Sequence, residues 1–501
     1  MPDLKERIIV ESNKVLARGV KKILMTSPAV LLALTSCKFS ESTKEPIKPI
    51  DTAWPKVSEM ASLPTFTPEP TPSLPILEVD GLKIPDPKAS NPEFFNLTSP
   101  DSPIVQFANA FGIKPEEVGN LTPKLLTSVD GKQFVVLTTG NLTTTATFDE
   151  TDTPLFIAEQ GENGEWVWEN ATLKRLADRA GILIRSEFPW LVFYDPHLKG
   201  LFFDEVNGAT IDYGVYWSNV EPQKGVFRFS IMDTQIKEAQ KYGLSLRGHA
   251  LLFPTSSVAV PDWLKSGTFS KEELTQVLIN HVKQVVSHGK QQGINEWVVV
   301  NEPYLPKYRE DDMFYKIFGG YDYIEIAFQA AREADPSATL IYNDSDNHDS
   351  GGLTTSLTCQ IIERLKSKDL VDAVGVQAHL DDWVGVPDSN DVRNTLRNYG
   401  LPVIVTEFDY NLEGVSGSQQ ERYLKQANVY EDFFRAAIEA EVTDFTFWGI
   451  DDKNSWLEKD FSQSDSDPTL FSDNYQPKPA YYAILQALFD YLIIQNNHSL
   501  S

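Results

Sequence analysis

Trp297-Val298-Val299-Val300-Asn301-Glu302-Pro303 is the stretch that decides the fold of this 501-residue chain. Three consecutive valines after a tryptophan are typical of a strand that is buried on both faces of a parallel sheet. An amide and a carboxylate follow the apolar run directly. A carboxylate at such a point is costly to bury unless it has partners or a chemical role. This stretch therefore predicts a parallel sheet and a functional residue at the end of one of its strands.

Seven further β-prone runs surround this one and alternate with longer amphipathic stretches, such as 271–292 and 419–440, whose apolar residues recur at helical spacing. In chain order the eight predicted strands are 182–185, 209–213, 244–247, 297–301, 339–343, 373–377, 403–406 and 445–448. Eight βα units predict an α/β fold with a closed (β/α)8 barrel, a TIM barrel, over residues 171–492. In such a barrel the functional residues lie at the C-terminal ends of the strands.

The composition limits the possible partners. The chain has 44 Lys and Arg against 71 Asp and Glu, a formal net charge of −27, which excludes a nucleic-acid partner because phosphates are bound by concentrated basic residues. The two cysteines, Cys37 and Cys359, are far apart and exclude a disulfide framework. We expect the protein to be a monomer.

Residues 1–37 have the pattern of a secretory signal. Lys21-Lys22 precede an apolar run from Ile23 to Leu34 that is too short to span a bilayer, and Leu34-Thr35-Ser36-Cys37 follows. The cysteine after Leu-Thr-Ser resembles the lipobox of bacterial lipoproteins, which implies lipidation of Cys37. An ordinary signal peptide or a buried apolar segment is the alternative. The pattern predicts an extracellular or cell-surface protein that meets the membrane only through a lipid anchor.

Three other regions complete the predicted organisation. Residues 38–75 are rich in Pro, Ser and Thr and cannot bury enough apolar surface to fold, so they predict an extended tether. Residues 76–170 contain short β-prone runs separated by turn residues and predict a small β-rich region of unknown function. Its Trp166 and Trp168 are a possible sugar-stacking pair, although packing is the commoner role for such a pair. Residues 493–501 form a tail.

Polar residues follow nearly every predicted barrel strand. Glu302 ends the fourth strand and Glu407 the seventh, so the two carboxylates face each other across the barrel mouth. Two facing carboxylates are what cleavage of a glycosidic bond needs, because one protonates the leaving oxygen while the other attacks or stabilises the anomeric carbon. His249, Asn301, Gln377 and His379 would add hydrogen bonds to sugar hydroxyls.

These strand ends resemble the catalytic domain of glycoside hydrolase family 10, the retaining endo-β-1,4-xylanases, over residues 172–491. The motifs that carry the resemblance are Arg247-Gly248-His249, Trp297 to Glu302, Asn343-Asp344, Gln377 to His379, Thr406 to Asp409, Trp448-Gly449, Ser455-Trp456 and Asn474 to Tyr481. The resemblance implies that Glu302 is the general acid/base and Glu407 the nucleophile. It also implies that Asn301 holds the sugar 2-hydroxyl, that His379 orients the nucleophile, and that His249, Gln377, Trp448 and Trp456 line the central subsites.

The sequence departs from the family in the part that should bind the sugar on the non-reducing side. Family members carry Asn-Glu-Met-Lys-Trp after the second strand, where this chain has Tyr213-Gly214-Val215-Tyr216-Trp217. We therefore expect Tyr213, Tyr216 and Trp217 to bind substrate by stacking more than by hydrogen bonding. Xylan or a related plant cell-wall polysaccharide is the predicted substrate; another β-glycan, or a carbohydrate-binding lipoprotein without catalytic activity, stays open.

No cofactor and no metal are predicted. Hydrolysis by two carboxylates requires neither. The sequence contains no Gly-rich phosphate loop and no Cys/His metal motif.

Overall fold

A computed structural model gives the structure of the protein. The structure describes residues 121–140, 151–160, 166–303, 312–383, 385–461, 463 and 465–499. The predicted signal, its Cys37 and the tether lie outside these residues. Within the described part of the chain, no helix is both long enough and apolar enough to cross a bilayer.

The first described strands form a separate sheet of four antiparallel strands in sequential order. They are β1 (Leu121–Thr127), β2 (Gln133–Gly140), β3 (Thr151–Gln160) and β4 (Trp166–Asn170). Phe134, Val136 and Ile157 are buried and belong to the same hydrophobic cluster as the residues between the helices and the barrel. Trp166 and Trp168 both lie in β4, but their side chains are outside the described atoms, so the stacking role suggested for them stays a prediction.

Eight parallel strands then close into a barrel, as the sequence predicts. They are β5 (Leu183–Glu187), β6 (Gly208–Ile211), β7 (Ser245–Gly248), β8 (Glu296–Asn301), β9 (Thr339–Ser345), β10 (Ala373–Asp381), β11 (Val403–Asn411) and β12 (Asp444–Phe447). Several predicted strand ends differ from the observed ones. The second strand ends at Ile211 rather than Tyr213. The largest differences are in the sixth strand, which continues to Asp381 instead of stopping at Gln377, and in the seventh, which continues to Asn411 instead of stopping at Thr406.

Helices cover the outside of the barrel. They are α1 (Leu173–Ala180), α2 (Pro196–Glu205), α3 (Trp217–Val220), α4 (Ser230–Lys241), α5 (Asp262–Lys265), α6 (Lys271–Gln291), α7 (Met313–Phe318), α8 (Asp322–Ala334), α9 (Thr355–Lys366), α10 (Ser389–Asn398), α11 (Gln419–Glu439), α12 (Trp456–Phe461) and α13 (Pro479–Ser499). The starts of the long helices α6 and α11 are fixed by capping boxes, in which Ser270 pairs with Glu273 and Ser418 with Glu421.

The N-terminal ends of the barrel strands enclose a ring of four charged side chains. Arg185 donates to Asp444 at 2.9 Å and to Glu296 at 3.1 Å, and Arg247 lies 2.7 Å from Asp444 and also contacts Glu296. Both guanidinium groups are fully buried. Each charge thus has two partners of opposite sign, which offsets the cost of removing it from water.

The four-stranded sheet packs on this same end of the barrel. The backbone N–H of Val129 donates to the Arg179 carbonyl at 3.0 Å, and the Asn496 side chain pairs with both backbone groups of Thr127 at 2.7 and 3.0 Å. Val129 also touches Gly181, just before β5 begins. The predicted site residues lie at the opposite end of the barrel.

Candidate active site

Four buried side chains from neighbouring strands form the floor of the cleft. The Asn343 amide donates to Glu407 at 2.9 Å and to Asn301 at 2.7 Å, and the Gln377 amide donates to the same two partners at 2.7 and 3.1 Å. One Glu407 oxygen therefore accepts two amide hydrogen bonds, which fix the orientation of the carboxylate. Asn343, which the sequence presents only as part of a motif, is a direct partner of the carboxylate.

A glycine leaves room for this arrangement. A Cβ on Gly375 of β10 would stand 2.2 Å from the Asn343 side-chain oxygen and 3.0 Å from the Thr406 methyl group. The Thr406 hydroxyl also donates to that Asn343 oxygen. Gly375 and Thr406 together fix the Asn343 amide in the orientation in which its NH2 group faces Glu407.

Glu302 leaves the floor at the point where β8 ends. Its φ of 46° lies in the left-handed region, which costs a non-glycine residue about 1 to 2 kcal/mol. Hydrogen bonds to its N–H, its carbonyl and its side chain hold it there. The N–H donates to the Asn343 carbonyl at 3.0 Å, the carbonyl accepts from the Thr255 hydroxyl at 3.2 Å, and the side chain accepts from the Asn301 amide at 3.4 Å. Glu302 is half-buried whereas Glu407 is only 4% exposed. One carboxyl is thus open to the cleft and the other is embedded in its floor.

His379 links Glu407 to a third carboxylate. Its Nε2 lies 3.2 Å from Glu407 and its Nδ1 lies 2.9 Å from Asp409, which also accepts from the Trp456 indole at 2.7 Å. Burial alone would lower the pKa of His379, but the charges of Asp409 and Glu407 outweigh it and raise the pKa to about 10. His379 is therefore an imidazolium at neutral pH and balances the negative charge of Glu407.

His249 behaves in the opposite way. Burial and the positive charge of Arg247 lower its pKa to about 3, so the ring is neutral at the same pH. Its Nε2 stands 3.8 Å from Glu407, and its ring lies 5.3 Å from that of Trp448. A neutral imidazole beside Glu407 can exchange hydrogen bonds with a hydroxyl without competing for the negative charge.

The loop after β12 carries both tryptophans of the site and is fixed by a buried ion pair. The Lys478 ammonium donates to Asp452 at 2.8 and 3.0 Å and to the Asp467 carbonyl at 2.8 Å. Asp452 also accepts from the Thr469 N–H and hydroxyl, both at 2.9 Å. Because Asp452 lies between Trp448 and Trp456 in the chain, this pair holds the loop that presents them.

The residue directly after the second strand, Asp212, was not among the predicted site residues. Its carboxylate accepts a hydrogen bond from the Tyr216 hydroxyl at 3.2 Å. Burial raises the pKa of Asp212 to about 6, and the nearby charge of Glu407 adds to the rise. Tyr213 and Tyr216 are half-buried with ring centroids 6.2 Å apart. A carboxylate next to aromatic residues at a barrel mouth is the signal that would have identified Asp212.

Trp217 does not line the cleft, so its predicted role in substrate binding is wrong. It is 2% exposed and stacks on His281 at a centroid distance of 3.7 Å. Its indole N–H donates to Glu221 at 2.8 Å. Both the ring face and the polar edge are used inside the protein, and Trp217 belongs to the core.

Taken together, these residues make a site with two carboxyls, one half-buried and one held by amides and an imidazolium. Over the described ranges, no group of three or more His, Cys, Asp or Glu side chains is arranged to hold a metal ion. A (β/α)8 barrel with one carboxyl directly after β8 and the other within β11 has the arrangement of the glycoside hydrolases that use two carboxyl groups.

The chain belongs to glycosyl hydrolase family 10. The model of that family matches residues 173–487, the whole barrel. The chain is therefore an enzyme that hydrolyses O-glycosyl bonds.

Named relatives agree with this membership. The chain is 33% identical over 290 residues to endo-1,4-beta-xylanase B of Thermotoga neapolitana, covering 57% of this chain and 81% of the relative. It is 31% identical over 305 residues to endo-1,4-beta-xylanase A of Thermoanaerobacterium saccharolyticum, covering 58% of this chain but only 25% of that larger protein. The crystal structure of xylanase 10B from Thermotoga petrophila in complex with xylobiose superimposes with a TM-score of 0.59 at 31% identity, covering 65% of this chain and 99% of that one.

Proposed function

We propose that the enzyme is a retaining endo-β-1,4-xylanase in which Glu302 is the general acid/base and Glu407 the nucleophile. The observation that carries the assignment is the difference between the two carboxyls. Glu407 lies in the floor, held by Asn343, Gln377 and His379, where a fixed nucleophile is needed. Glu302 is half-buried at the cleft, where it can reach the leaving oxygen.

The reaction then takes two steps. Glu407 attacks the anomeric carbon and forms a glycosyl ester while Glu302 gives its proton to the departing oxygen. A water molecule then enters, and Glu302 takes a proton from it. The oxygen of this water attacks the anomeric carbon, the glycosyl ester bond breaks, and Glu407 is released as a carboxylate. Two displacements return the β configuration.

The His379 imidazolium orients Glu407 for the first step and favours its release in the second. It balances the Glu407 charge before attack, and its hydrogen bonds to Glu407 and Asp409 keep the ring in a fixed orientation. When Glu407 is released as a carboxylate in the second step, the same positive charge favours its departure. The amides of Asn343 and Gln377 act in the same direction.

Product analysis tests the proposal. The protein is incubated with xylan, mixed-linkage β-glucan and cellulose, and the products are separated by chromatography while proton NMR follows the anomeric configuration. We expect a mixture of xylo-oligosaccharides that first appears as the β anomer, and no products from Glu407→Gln. Initial α anomers would overturn the retaining mechanism, and release of products from a glucan alone would overturn xylan as the substrate.

A second substrate class is favoured by one specific observation. At the end of β6, Asp212 and Tyr216 are hydrogen-bonded to each other, so neither group is fully available to a sugar hydroxyl. Aromatic rings can instead stack on sugars, which tolerates bulkier units than a set of hydrogen bonds does. Hydrolysis of a branched xylan or of another β-glycan by the same chemistry follows from this arrangement.

Tyr216→Lys separates the two substrate classes. Gly214 is left unchanged because a Cβ there would stand 2.2 Å from the Gln235 side-chain oxygen. If stacking sets the preference, this variant should gain on linear xylotetraose relative to arabinoxylan. An unchanged ratio of kcat/KM between the two would mean that these aromatics do not set the substrate.

We also propose that the enzyme acts outside the cell as a monomer, held to the membrane by a lipid on Cys37. The support is the sequence alone, namely the lipobox-like Leu34-Thr35-Ser36-Cys37 and the proline-rich tether over 38–75. Radioactive fatty acid should label the wild type and not Cys37→Ser. Equal labelling of both would end the proposal.

A further inference from the structure

The wall of the cleft formed by β5 and β6 carries two carboxyl groups besides the pair assigned to the reaction. Glu187 is the last residue of β5, and Asp212 directly follows the last residue of β6. The two strands are neighbours in the barrel, and Glu187 pairs with Thr210, two residues before Asp212. Because paired strands lie about 4.8 Å apart, the two carboxyl groups occupy adjacent positions of this wall.

Both strands turn this wall toward the interior of the barrel. Residues two apart on a strand share a face, and Arg185 points inward to the charged ring, so Glu187 points inward as well. On β6 the partner of Arg185 is Gly208, where a Cβ would stand 2.7 Å from the Arg185 side chain. Asp212 lies four residues beyond Gly208. Glu187 and Asp212 are both half-buried, so part of each residue remains accessible from the cleft.

The Tyr216 hydroxyl shows how close these negative charges lie to the nucleophile. It donates a hydrogen bond to Asp212 at 3.2 Å. Burial raises the pKa of this hydroxyl well above its ordinary value, and the negative charges of Asp212, Glu187 and Glu407 raise it further. The nucleophile and both carboxyl groups of the wall are thus near enough to act on the same group.

Asp212 carries a negative charge at neutral pH. Burial raises its pKa only to about 6, which leaves the carboxyl mainly ionised. Its charged form is favoured by hydrogen bonds from the backbone N–H of Tyr213 and from the Tyr216 hydroxyl. These donors are neutral, so they stabilise the charge without cancelling it.

Three cations inside the barrel are engaged by other carboxylates. Arg185 and Arg247 are bound within the charged ring at the N-terminal ends of the strands. The His379 imidazolium lies between Asp409 and the nucleophile. The charge of Asp212 is therefore not offset by these cations.

We propose that Asp212, with Glu187 beside it, selects against xylose units that carry a negatively charged uronic acid branch. A cleft lined by charges of one sign focuses the field, and two like charges repel more strongly there than in bulk water. Linear xylan and xylan with neutral branches carry no such charge and are accepted. The inference rests on the proposed xylanase function and concerns the charge of a branch instead of its size.

The test uses two xylans of the same shape and different charge. Glucuronoxylan carries uronic acid branches, and chemical reduction of their carboxyl groups gives a polymer with neutral branches of nearly the same size. Two readouts are taken for each polymer: kcat/KM, and the number of backbone xylose units in the smallest branched product, determined by mass spectrometry. The rate on the reduced polymer also measures the catalytic competence of each variant.

The variants remove one negative charge at a time while keeping the size of the side chain. They are Asp212→Asn, Glu187→Gln and the double variant. Glu363→Gln is the matched control, because Glu363 is an exposed carboxylate on α9, on the outside of the barrel. It changes the net charge of the protein equally without touching the wall.

We expect the wild type to hydrolyse the reduced polymer about fivefold faster than glucuronoxylan. Its smallest branched product from glucuronoxylan should also be longer than the one from the reduced polymer. Asp212→Asn should reduce both differences, the double variant should remove them, and Glu363→Gln should keep them. Raising the salt from about 0.01 to about 0.15 M shortens the Debye length from about 30 to about 8 Å and should weaken the discrimination.

Equal rates and equal product lengths for the two polymers in the wild type would overturn the proposal. A difference that persists in the double variant, or that Glu363→Gln removes as well, would also overturn it. If the wild type hydrolyses neither polymer, the proposed xylanase function itself fails.

Discussion

Replacing Lys478 by methionine tests how the loop that carries Trp448 and Trp456 is held. Lys478→Met keeps the length of the side chain but removes the charge that contacts Asp452. In the wild type both side chains of this pair are almost fully buried, with 2% and 3% exposed. The substitution leaves the Asp452 carboxylate with only the two hydrogen bonds from Thr469.

The size of the effect follows from the burial. Removing one partner of a buried ion pair costs about 3 to 5 kcal/mol, because a charge is left uncompensated. Burial already raises the pKa of Asp452 to about 6 in the presence of Lys478. Without the cation the pKa should rise further, so that a proton neutralises the carboxyl at low pH. We therefore expect the loss of unfolding free energy to be about 3 kcal/mol or more at pH 8 and clearly smaller at pH 5.

The assay is urea unfolding of the wild type, Lys478→Met, Asp452→Asn and the double variant at both pH values. The two groups contact each other, so their contributions to the free energy of unfolding should be coupled. The losses of the two single variants, added together, should exceed the loss of the double variant by about 2 kcal/mol. Activity on xylan, measured where all four proteins are folded, should fall in Lys478→Met because the two tryptophans lose their support.

A loss below about 1 kcal/mol at pH 8 would contradict the uncompensated charge. Equal losses at pH 5 and pH 8 would contradict the protonation of Asp452. Additive losses would show that the pair acts as two independent contacts, and the structural reasoning would then be wrong.

Glu407→Gln should abolish hydrolysis of every substrate, whereas Glu302→Gln should lose about 10² to 10⁴-fold on xylan and retain most activity on aryl glycosides with good leaving groups; equal losses on both substrates would contradict the acid/base role. The raised pKa of His379 means that its charge stabilises the fold fully below its ordinary value near 6.5 and that this contribution disappears as the pH rises through about 10. Urea unfolding should therefore show that the difference in free energy of unfolding between wild type and His379→Gln decreases at alkaline pH. A difference that does not change with pH would contradict a charged His379. Gly375→Ala should lower kcat at least tenfold because its Cβ would displace Asn343 from Glu407; a variant that is fully active with an unchanged melting temperature would show that this amide is dispensable.

The eight strands could be predicted because most of them are short, continuously apolar runs between helical stretches. The ends were harder. After Thr406 the chain reads Glu-Phe-Asp-Tyr-Asn, which looks like a polar turn, yet β11 continues to Asn411. Glu407 and Asp409 have their partners within the cleft, where Asn343 and His379 satisfy them. A strand that lines a polar site does not show the apolar pattern by which strands are recognised.

The structure brings together several polar groups that a motif places directly after a strand, whereas contacts that join distant segments could not be predicted from the sequence. Glu407, Gln377 and His379 are in contact, as expected from their neighbouring strands. The hydrogen bond from the Asn343 amide to Glu407 depends on the register between neighbouring strands, which cannot be derived from the sequence. Trp217 was misjudged because an aromatic residue after a strand can turn inward as readily as outward.

The charged ring at the closed end of the barrel has a consequence for how the family can change. Its two arginines and two carboxylates sum to zero charge, and each member contacts both of opposite sign. Any one substitution to a neutral residue leaves a net charge among largely buried groups, whereas a paired replacement of one arginine and one carboxylate does not. Evolution along this layer should therefore proceed in coupled steps, and sequences that have lost one of Arg185, Arg247, Glu296 or Asp444 should also have lost a partner. The effect of replacing one of the four residues should thus depend on which residues occupy the other three positions, which lie on four different strands of the chain.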